Sequence, residues 1–233
     1  MPMVRRSSAA VYVRGGPVGC LVLHGFGGSP ALVRPLVDEL AARGITVHAP
    51  LLPGHGAGVT VLGRTRFRHW IRGAEEALSR LRSDCRAVHL VGCSLGGLIA
   101  LHLAARHPVA SVCTLAAPIL LQDPAEIGAR LTPYLGDPAE AMPALRSLAR
   151  LARLTRRQLG RVQAPVLVVQ GDRDTWIAPE SGAYLAAHLA SARLVVLPGR
   201  GHFLTLEPGR KELAALLADW LMVLSEPKYP PRK

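Results

Sequence analysis

Short apolar segments alternate with amphipathic ones along almost the whole chain, and this alternation restricts the possible folds more than any other feature. "PVGCLVLHG" at 17–25, "AVHLVG" at 87–92 and "APVLVVQGD" at 164–172 are mostly apolar, as is typical of strands buried on both faces of a sheet. Between them lie segments with helical spacing of apolar residues, such as that from Leu32 to Leu40. Strands alternating with helices form right-handed crossovers in a parallel sheet. The sequence therefore predicts an α/β fold, a mostly parallel sheet with helices on both faces.

Length and composition favour one globular domain over residues 1–233. The chain has 49% hydrophobic and 19% charged residues, which suffices for a sizeable core. No apolar stretch approaches the roughly 18 to 20 residues that a membrane span needs. The initial "MPMVRRSSAAVYVRGG" has arginines without a following apolar segment of the kind a signal peptide carries. We therefore expect a soluble, cytoplasmic protein.

The formal net charge of +12 comes almost entirely from arginine, since lysine occurs only at positions 211, 228 and 233. Helical spacing puts one set of arginines on a single stripe: Arg146, Arg150, Arg153, Arg157 and Arg161. This stripe is either a solvated helix face or a weak contact with anionic lipid surfaces or acidic partners. No basic run alternates with stacking aromatic residues, so the pattern argues against a nucleic-acid-binding protein.

The four cysteines, Cys20, Cys85, Cys93 and Cys113, show neither the paired spacing of a zinc site nor a disulfide framework. Three of them lie in or beside apolar runs. We expect buried, reduced thiols that pack as small apolar groups.

Gly92, Ser94 and Gly96 form the pattern G-x-S-x-G between a predicted strand and a predicted helix that starts near Leu95. A sharp strand-to-helix turn strains its central residue and exposes that side chain, and glycine lets neighbouring backbone pass closely. The positive end of the helix dipole would lie where an oxyanion forms. The pattern therefore predicts that Ser94 is a nucleophile.

A nucleophilic serine needs a base and a carboxylate that orients the base. His202 is the candidate base, because "LPGRGHFLTLEP" places it in a glycine-rich loop after a strand, whereas several other histidines lie within predicted strands or helices. Asp174 is favoured as the acid because Trp176 and Ile177 can shield it. Two alternatives stay open: Asp172, which could instead cap the turn, and Asp123, which follows the preceding strand.

The glycine-rich "LHGFGGSP" follows the first strong strand and is typical of a loop that supplies a backbone amide to an oxyanion hole. We predict the amides of Phe26 and Leu95 as the two donors. A nucleotide-binding loop is disfavoured because no G-K-[ST] follows these glycines.

Five segments together resemble the α/β-hydrolase superfamily, most closely its small bacterial carboxylesterases and monoacylglycerol lipases: "LVLHGFGGSP", "PLLPGHG", "VGCSLGG", "PVLVVQGDRDTWIAPES" and "GRGHFLTLE". The resemblance runs from Pro17 to Leu224. It implies a triad of Ser94, Asp174 and His202. It also implies no cofactor and no metal, and hydrolysis of short- to medium-chain acyl esters or monoglycerides. Thioesters, amides and lactones are alternative substrates, and a non-catalytic module that binds a small ligand is the alternative of another class.

The resemblance also implies a short helical lid over the acyl pocket, inserted at about residues 118–160. This segment is apolar enough to line a pocket, and Leu131 and Leu135 belong to it. We expect the substrate to contact Gly25, Ile119, Leu120, Leu121, Trp176, Ile177 and Phe203. The same apolar residues could pack a dimer, so we expect a monomer or a homodimer.

Overall fold

We describe the protein from a computed structural model that covers residues 9–121, 123–135 and 137–225, apart from the side chains of Glu126, Thr132, Leu135 and Pro138. These residues form seven strands and eight α-helices. The strands are β1 (Val11–Val13), β2 (Val18–Leu23), β3 (Thr46–Ala49), β4 (Ala87–Cys93), β5 (Val112–Leu115), β6 (Val166–Gly171) and β7 (Ala192–Leu197). The α-helices are α1 (Arg34–Ala42), α2 (Val59–Arg64), α3 (Phe67–Asp84), α4 (Leu95–Ala104), α5 (Pro124–Leu135), α6 (Pro138–Arg156), α7 (Glu180–His188) and α8 (Arg210–Ser225).

The strands form one sheet in the order β1-β3-β2-β4-β5-β6-β7, which confirms the predicted α/β class. Every neighbouring pair is parallel except β1 and β3, which pair antiparallel at the edge. Strand β1 was not predicted, because three residues are too few to show an alternation pattern. The central strands β2 and β6 are buried along their whole length, as their apolar sequences predict.

Two apolar layers cover the two faces of the sheet. On one face, α1 and α8 pack through Leu36, Leu40 and Leu217. On the other face, α3 and α4 pack through Trp70, Leu78 and the fully buried helix that follows Ser94. Helices α5 and α6 contact each other, and α6 also packs against α4. Because β3, β2, β4, β5, β6 and β7 all run parallel, their carboxyl ends lie along one edge of the sheet.

The predicted arginine stripe is shorter than the spacing suggested. Helix α6 ends at Arg156, Arg157 is its C-cap, and Arg161 lies in a separate 3₁₀ helix, Leu159–Arg161. After the end of α6, Leu159 and Val162 are buried in the core. Of the five arginines in the predicted stripe, Arg146, Arg150 and Arg153 lie within α6.

None of the described helices combines the length and apolar character that crossing a bilayer requires.

Candidate active site

Ser94 stands at a sharp turn between β4 and α4. Its backbone has φ 50° and ψ −114°, in the left-handed half of conformational space that residues with a side chain rarely adopt. The Ser94 amide donates a hydrogen bond of 2.8 Å to the Leu115 carbonyl at the end of β5, which holds the turn against the sheet. Such strain persists only where surrounding structure enforces it, and it is typical of functional sites.

The two glycines of the pattern make this turn possible. A Cβ on Gly92 would overlap the Gly96 carbonyl, and a Cβ on Gly96 would overlap the Leu23 carbonyl. Strand β4, the start of α4 and the end of β2 therefore approach one another more closely than any side chain permits.

Phe26 lies in the loop after β2 and comes close to Ser94 through its neighbour Gly25. A Cβ on Gly25 would lie 3.4 Å from the Ser94 Cβ. The amides of Phe26 and Leu95 donate no backbone hydrogen bond to any residue in the described ranges. Leu95 is the first residue of α4, where an amide has no partner within the helix. Neither N–H group is therefore committed to a backbone acceptor among the described residues.

Asp174 lies in the loop after β6 and is buried, with 5% of its surface exposed. Its Oδ1 accepts hydrogen bonds from the amides of Trp176 (2.8 Å) and Ile177 (2.9 Å). Its Oδ2 accepts from Gln170 Nε2 (3.1 Å). Burial by itself raises the pKa of Asp174, but His202 and the two amides outweigh it, and the pKa is lowered. The carboxylate is therefore ionised at neutral pH.

His202 lies in the loop after β7, and its Nδ1 is 2.8 Å from Asp174 Oδ2. Because an ionised carboxylate only accepts hydrogen bonds, Nδ1 carries the proton of this bond, which leaves Nε2 as the other ring nitrogen. The Trp176 indole stacks on the imidazole with ring centres 5.8 Å apart and planes 11° apart. The imidazole is therefore held by a carboxylate at one edge and an aromatic plane on one face.

The two alternative carboxylates have other partners. Asp172 Oδ1 accepts a hydrogen bond of 2.7 Å from the Gly199 amide, so this side chain ties the end of β6 to the turn after β7. Asp123 accepts from the Ala125 amide at 2.8 Å, at the start of α5. Among the hydrogen bonds of the described residues, only Asp174 of these three carboxylates is bonded to His202.

A cleft lies beside the turn at Ser94 and the loop of His202. Its volume is about 810 Å³, which includes the open space at its mouth. Ser94 and His202 both line it. Four of the predicted contact residues do so as well: Gly25, Trp176, Ile177 and Phe203. Leu131 lines it too, whereas the Leu135 side chain lies outside the described part of the chain.

Ile119, Leu120 and Leu121 are not among the residues that line this cleft, and their contact with the substrate stays a prediction. The chain turns tightly after Pro118, with the Leu121 amide bonded to the Pro118 carbonyl, and these side chains pack with the core instead. The prediction missed apolar residues from distant segments: Leu32, Val33, Ile127, Leu148, Leu204 and Leu206. Nothing in their local sequence separates them from ordinary core residues.

The sequence model of the Alpha/beta hydrolase family matches residues 20–216. The chain belongs to the Alpha/beta hydrolase family. Among curated relatives, this alpha/beta hydrolase is 31% identical to a thermostable monoacylglycerol lipase of Bacillus sp. (strain H-257), over 84% of this chain and 87% of that protein. It is 27% identical to a carboxylesterase of Bacillus subtilis (strain 168), over 84% of this chain and 89% of that protein.

Solved structures share the fold of this alpha/beta hydrolase. A structure from work on LipS and LipT, two metagenome-derived lipolytic enzymes, superposes with a TM-score of 0.85 at 23% identity, over 93% of this chain and 98% of that one. The monoacylglycerol lipase of Paleococcus ferrophilus superposes with a TM-score of 0.74 at 18% identity, over 93% of this chain and 98% of that one.

His24 is a residue of this alpha/beta hydrolase whose role the sequence did not predict. It is fully buried, and its Nε2 accepts a hydrogen bond of 3.1 Å from the Leu52 amide. Its Nδ1 therefore carries the proton and donates to the Gly25 carbonyl at 2.9 Å. Burial lowers the pKa of His24 to about 3, so the ring stays neutral and keeps both bonds. His24 thus holds the start of the loop that contains Phe26. The signal available in the sequence was the position of His24 directly before Gly25, the first glycine of that loop.

Cys93, beside the candidate nucleophile, lines the cleft. Burial raises the pKa of its thiol to about 12, so the reactive thiolate is scarce at neutral pH.

Proposed function

We propose that this alpha/beta hydrolase is a serine hydrolase that cleaves carboxylic esters of short- to medium-chain acyl groups through an acyl-enzyme intermediate. The observation that carries the proposal is the 2.8 Å hydrogen bond between His202 Nδ1 and Asp174 Oδ2, in a cleft that also holds Ser94 on its strained turn. The similarity to a monoacylglycerol lipase and a carboxylesterase supports the same class of reaction.

In the proposed reaction, Ser94 Oγ attacks the ester carbonyl carbon while His202 Nε2 takes the serine proton. Asp174 stays ionised and stabilises the imidazolium that forms. The carbonyl oxygen becomes an oxyanion and accepts hydrogen bonds from the Phe26 and Leu95 amides. Loss of one such donor typically lowers turnover by about 100- to 1000-fold.

The imidazolium then gives its proton to the alkoxide leaving group, the carbon–oxygen bond of the ester breaks, and the alcohol departs. Water attacks the acyl enzyme with His202 again as base, which releases the carboxylic acid and restores Ser94. His202 passes each proton that it takes from a nucleophile to the oxygen that leaves next. The reaction therefore balances with the ester and one water molecule as its reactants.

The lining of the cleft favours an apolar acyl group. Ile127 and Leu131 of α5 and Leu148 of α6 face it together with Trp176 and Phe203. We propose that α5 and α6 form the lid within a single catalytic domain. Arg130 Nη1 on α5 donates to the Trp176 carbonyl at 2.9 Å, which connects this lid to the Asp174 loop.

Monoacylglycerol hydrolysis is the second candidate function. It is favoured by the 31% identity to the monoacylglycerol lipase and by the apolar cleft. The cytoplasmic location and the monomeric or homodimeric state stay predictions, which cell fractionation and light scattering test.

Hydrolysis of p-nitrophenyl esters from acetate to palmitate tests the proposal, with the wild-type protein and Ser94→Ala side by side. We expect a maximum at short to medium chains and loss of activity in Ser94→Ala, with unchanged thermal unfolding. A maximum at long chains would favour the lipase alternative. Undiminished activity of Ser94→Ala would refute the assignment, and no activity of the wild type on esters would favour thioesters or a binding role.

A further inference from the structure

Glu207 holds the residues on both sides of His202. Its Oε2 accepts a hydrogen bond of 2.9 Å from the Gly201 amide, and its Oε1 accepts one of 3.0 Å from the Phe203 amide. The Glu207 amide in turn donates to the Phe203 carbonyl at 3.1 Å. These three hydrogen bonds of Glu207 close residues 201–207 into a compact loop that contains His202.

The carboxylate of Glu207 bonds to two backbone amides of one loop. Glu207 forms no ion pair with any residue in the described ranges, and it lies before α8 rather than within it. Both of its carboxylate oxygens are instead bonded to backbone amides. Hydrogen bonds to an ionised acceptor are roughly twice as strong as neutral ones.

The loop that Glu207 closes is also tied to the loop of the candidate acid. The Arg173 amide donates to the Arg200 carbonyl at 2.9 Å, so this hydrogen bond lies one residue before Asp174 and two residues before His202. The position of the imidazole relative to Asp174 therefore depends on how residues 200–203 are held. Glu207 supplies two of the hydrogen bonds that hold them.

We propose that Glu207 is a positioning residue for His202. Its carboxylate orients the backbone on either side of the imidazole, so that Nδ1 meets Asp174 while Nε2 faces Ser94. This inference rests on the proposed function. The carboxylate does not touch the substrate or exchange a proton; it acts only through the two amides.

Steady-state hydrolysis of the best p-nitrophenyl ester by Glu207→Ala, Glu207→Gln, Asp172→Ala and Ser94→Ala tests the proposal. Asp172 is the matched control, since it is also a carboxylate that caps an amide of the loop after β7, but at Gly199 rather than beside His202. Glutamine keeps one carbonyl oxygen and can accept from one of the two amides. Thermal unfolding of each variant reports stability separately from catalysis.

We expect Glu207→Ala to lower kcat by about 10- to 100-fold with KM within about twofold, because a displaced catalytic group costs rate rather than substrate binding. Glu207→Gln should recover part of the loss. The second-order rate of fluorophosphonate labelling of Ser94 should fall in parallel with kcat, and Asp172→Ala should keep the wild-type kcat.

Three results would overturn the proposal. The first is an unchanged kcat in both Glu207 variants while Ser94→Ala is inactive. That result would refute the role of Glu207 and leave the proposed function intact. The second is an equal loss of kcat in Asp172→Ala, which would mean that any weakening of the loop has this effect. The third is full activity of Ser94→Ala, which would overturn the proposed function together with this inference.

Discussion

Three buried histidines should make this protein sensitive to mild acid. Burial lowers the pKa of His24 to about 3 and the pKa values of His55 and His89 to about 4. In the unfolded chain, each imidazole titrates near its ordinary value of about 6.5. Between those values, the unfolded state binds more protons than the folded state. The free energy of unfolding therefore falls as the pH drops below about 6.5, and each contribution levels off near the folded pKa.

The size of the effect follows from these pKa values. One pKa unit corresponds to about 1.4 kcal/mol, and pH 5 lies about 1.5 units below the unfolded value, so each histidine costs about 2 kcal/mol there. If the three act independently, the loss approaches about 6 kcal/mol, comparable with the roughly 5 to 15 kcal/mol that stabilises a typical domain.

Urea denaturation at several values between about pH 7.5 and about pH 5 measures this loss. His89→Gln isolates one contribution, because His89 lies away from the cleft with its ring nitrogens each 2.8 Å from a serine hydroxyl, Ser111 on one side and Ser225 on the other. The variant should be less stable than wild type at neutral pH, and the gap should narrow by about 2 kcal/mol at the acidic end. Parallel curves for the two proteins would refute the reasoning.

Three further predictions concern the cleft. Gly92→Ala should lower stability by about 1–3 kcal/mol and activity with it, because the added Cβ would overlap the Gly96 carbonyl; a calorimetric scan and an ester assay measure both effects, and a wild-type result in both would contradict the close approach. Asp174→Asn should lower kcat by about 10⁴-fold with little change in KM, since the amide no longer enforces the His202 tautomer; a kcat near wild type would point to another acid. Iodoacetamide at neutral pH should leave ester hydrolysis intact, since burial keeps the Cys93 thiol protonated; rapid inactivation that Cys93→Ala abolishes would show the opposite.

Local sequence patterns were sufficient for those parts of the molecule that depend on local chemistry. Continuous apolar runs such as that of β2 specified strands buried on both faces, and the parallel sheet confirms that prediction. The pattern around Ser94 specified a strained turn, because only glycine at positions 92 and 96 allows the backbone to approach so closely. Such features depend on side-chain periodicity and on backbone sterics within a few residues.

Which residues of distant segments become partners could be seen only in the tertiary structure. Asp172 and Asp174 lie in the same loop after β6, and their partners lie in the loop after β7. Asp172 bonds to Gly199 and Asp174 bonds to His202, which the sequence alone could not decide. The hydrogen bonds from Gly201 and Phe203 to Glu207 likewise depend on how residues 201–207 fold back on themselves. The cleft lining also combines residues from segments far apart in the chain, such as Leu32, Leu148 and Leu204. These outcomes are set by packing between segments far apart in the chain, which no local pattern encodes.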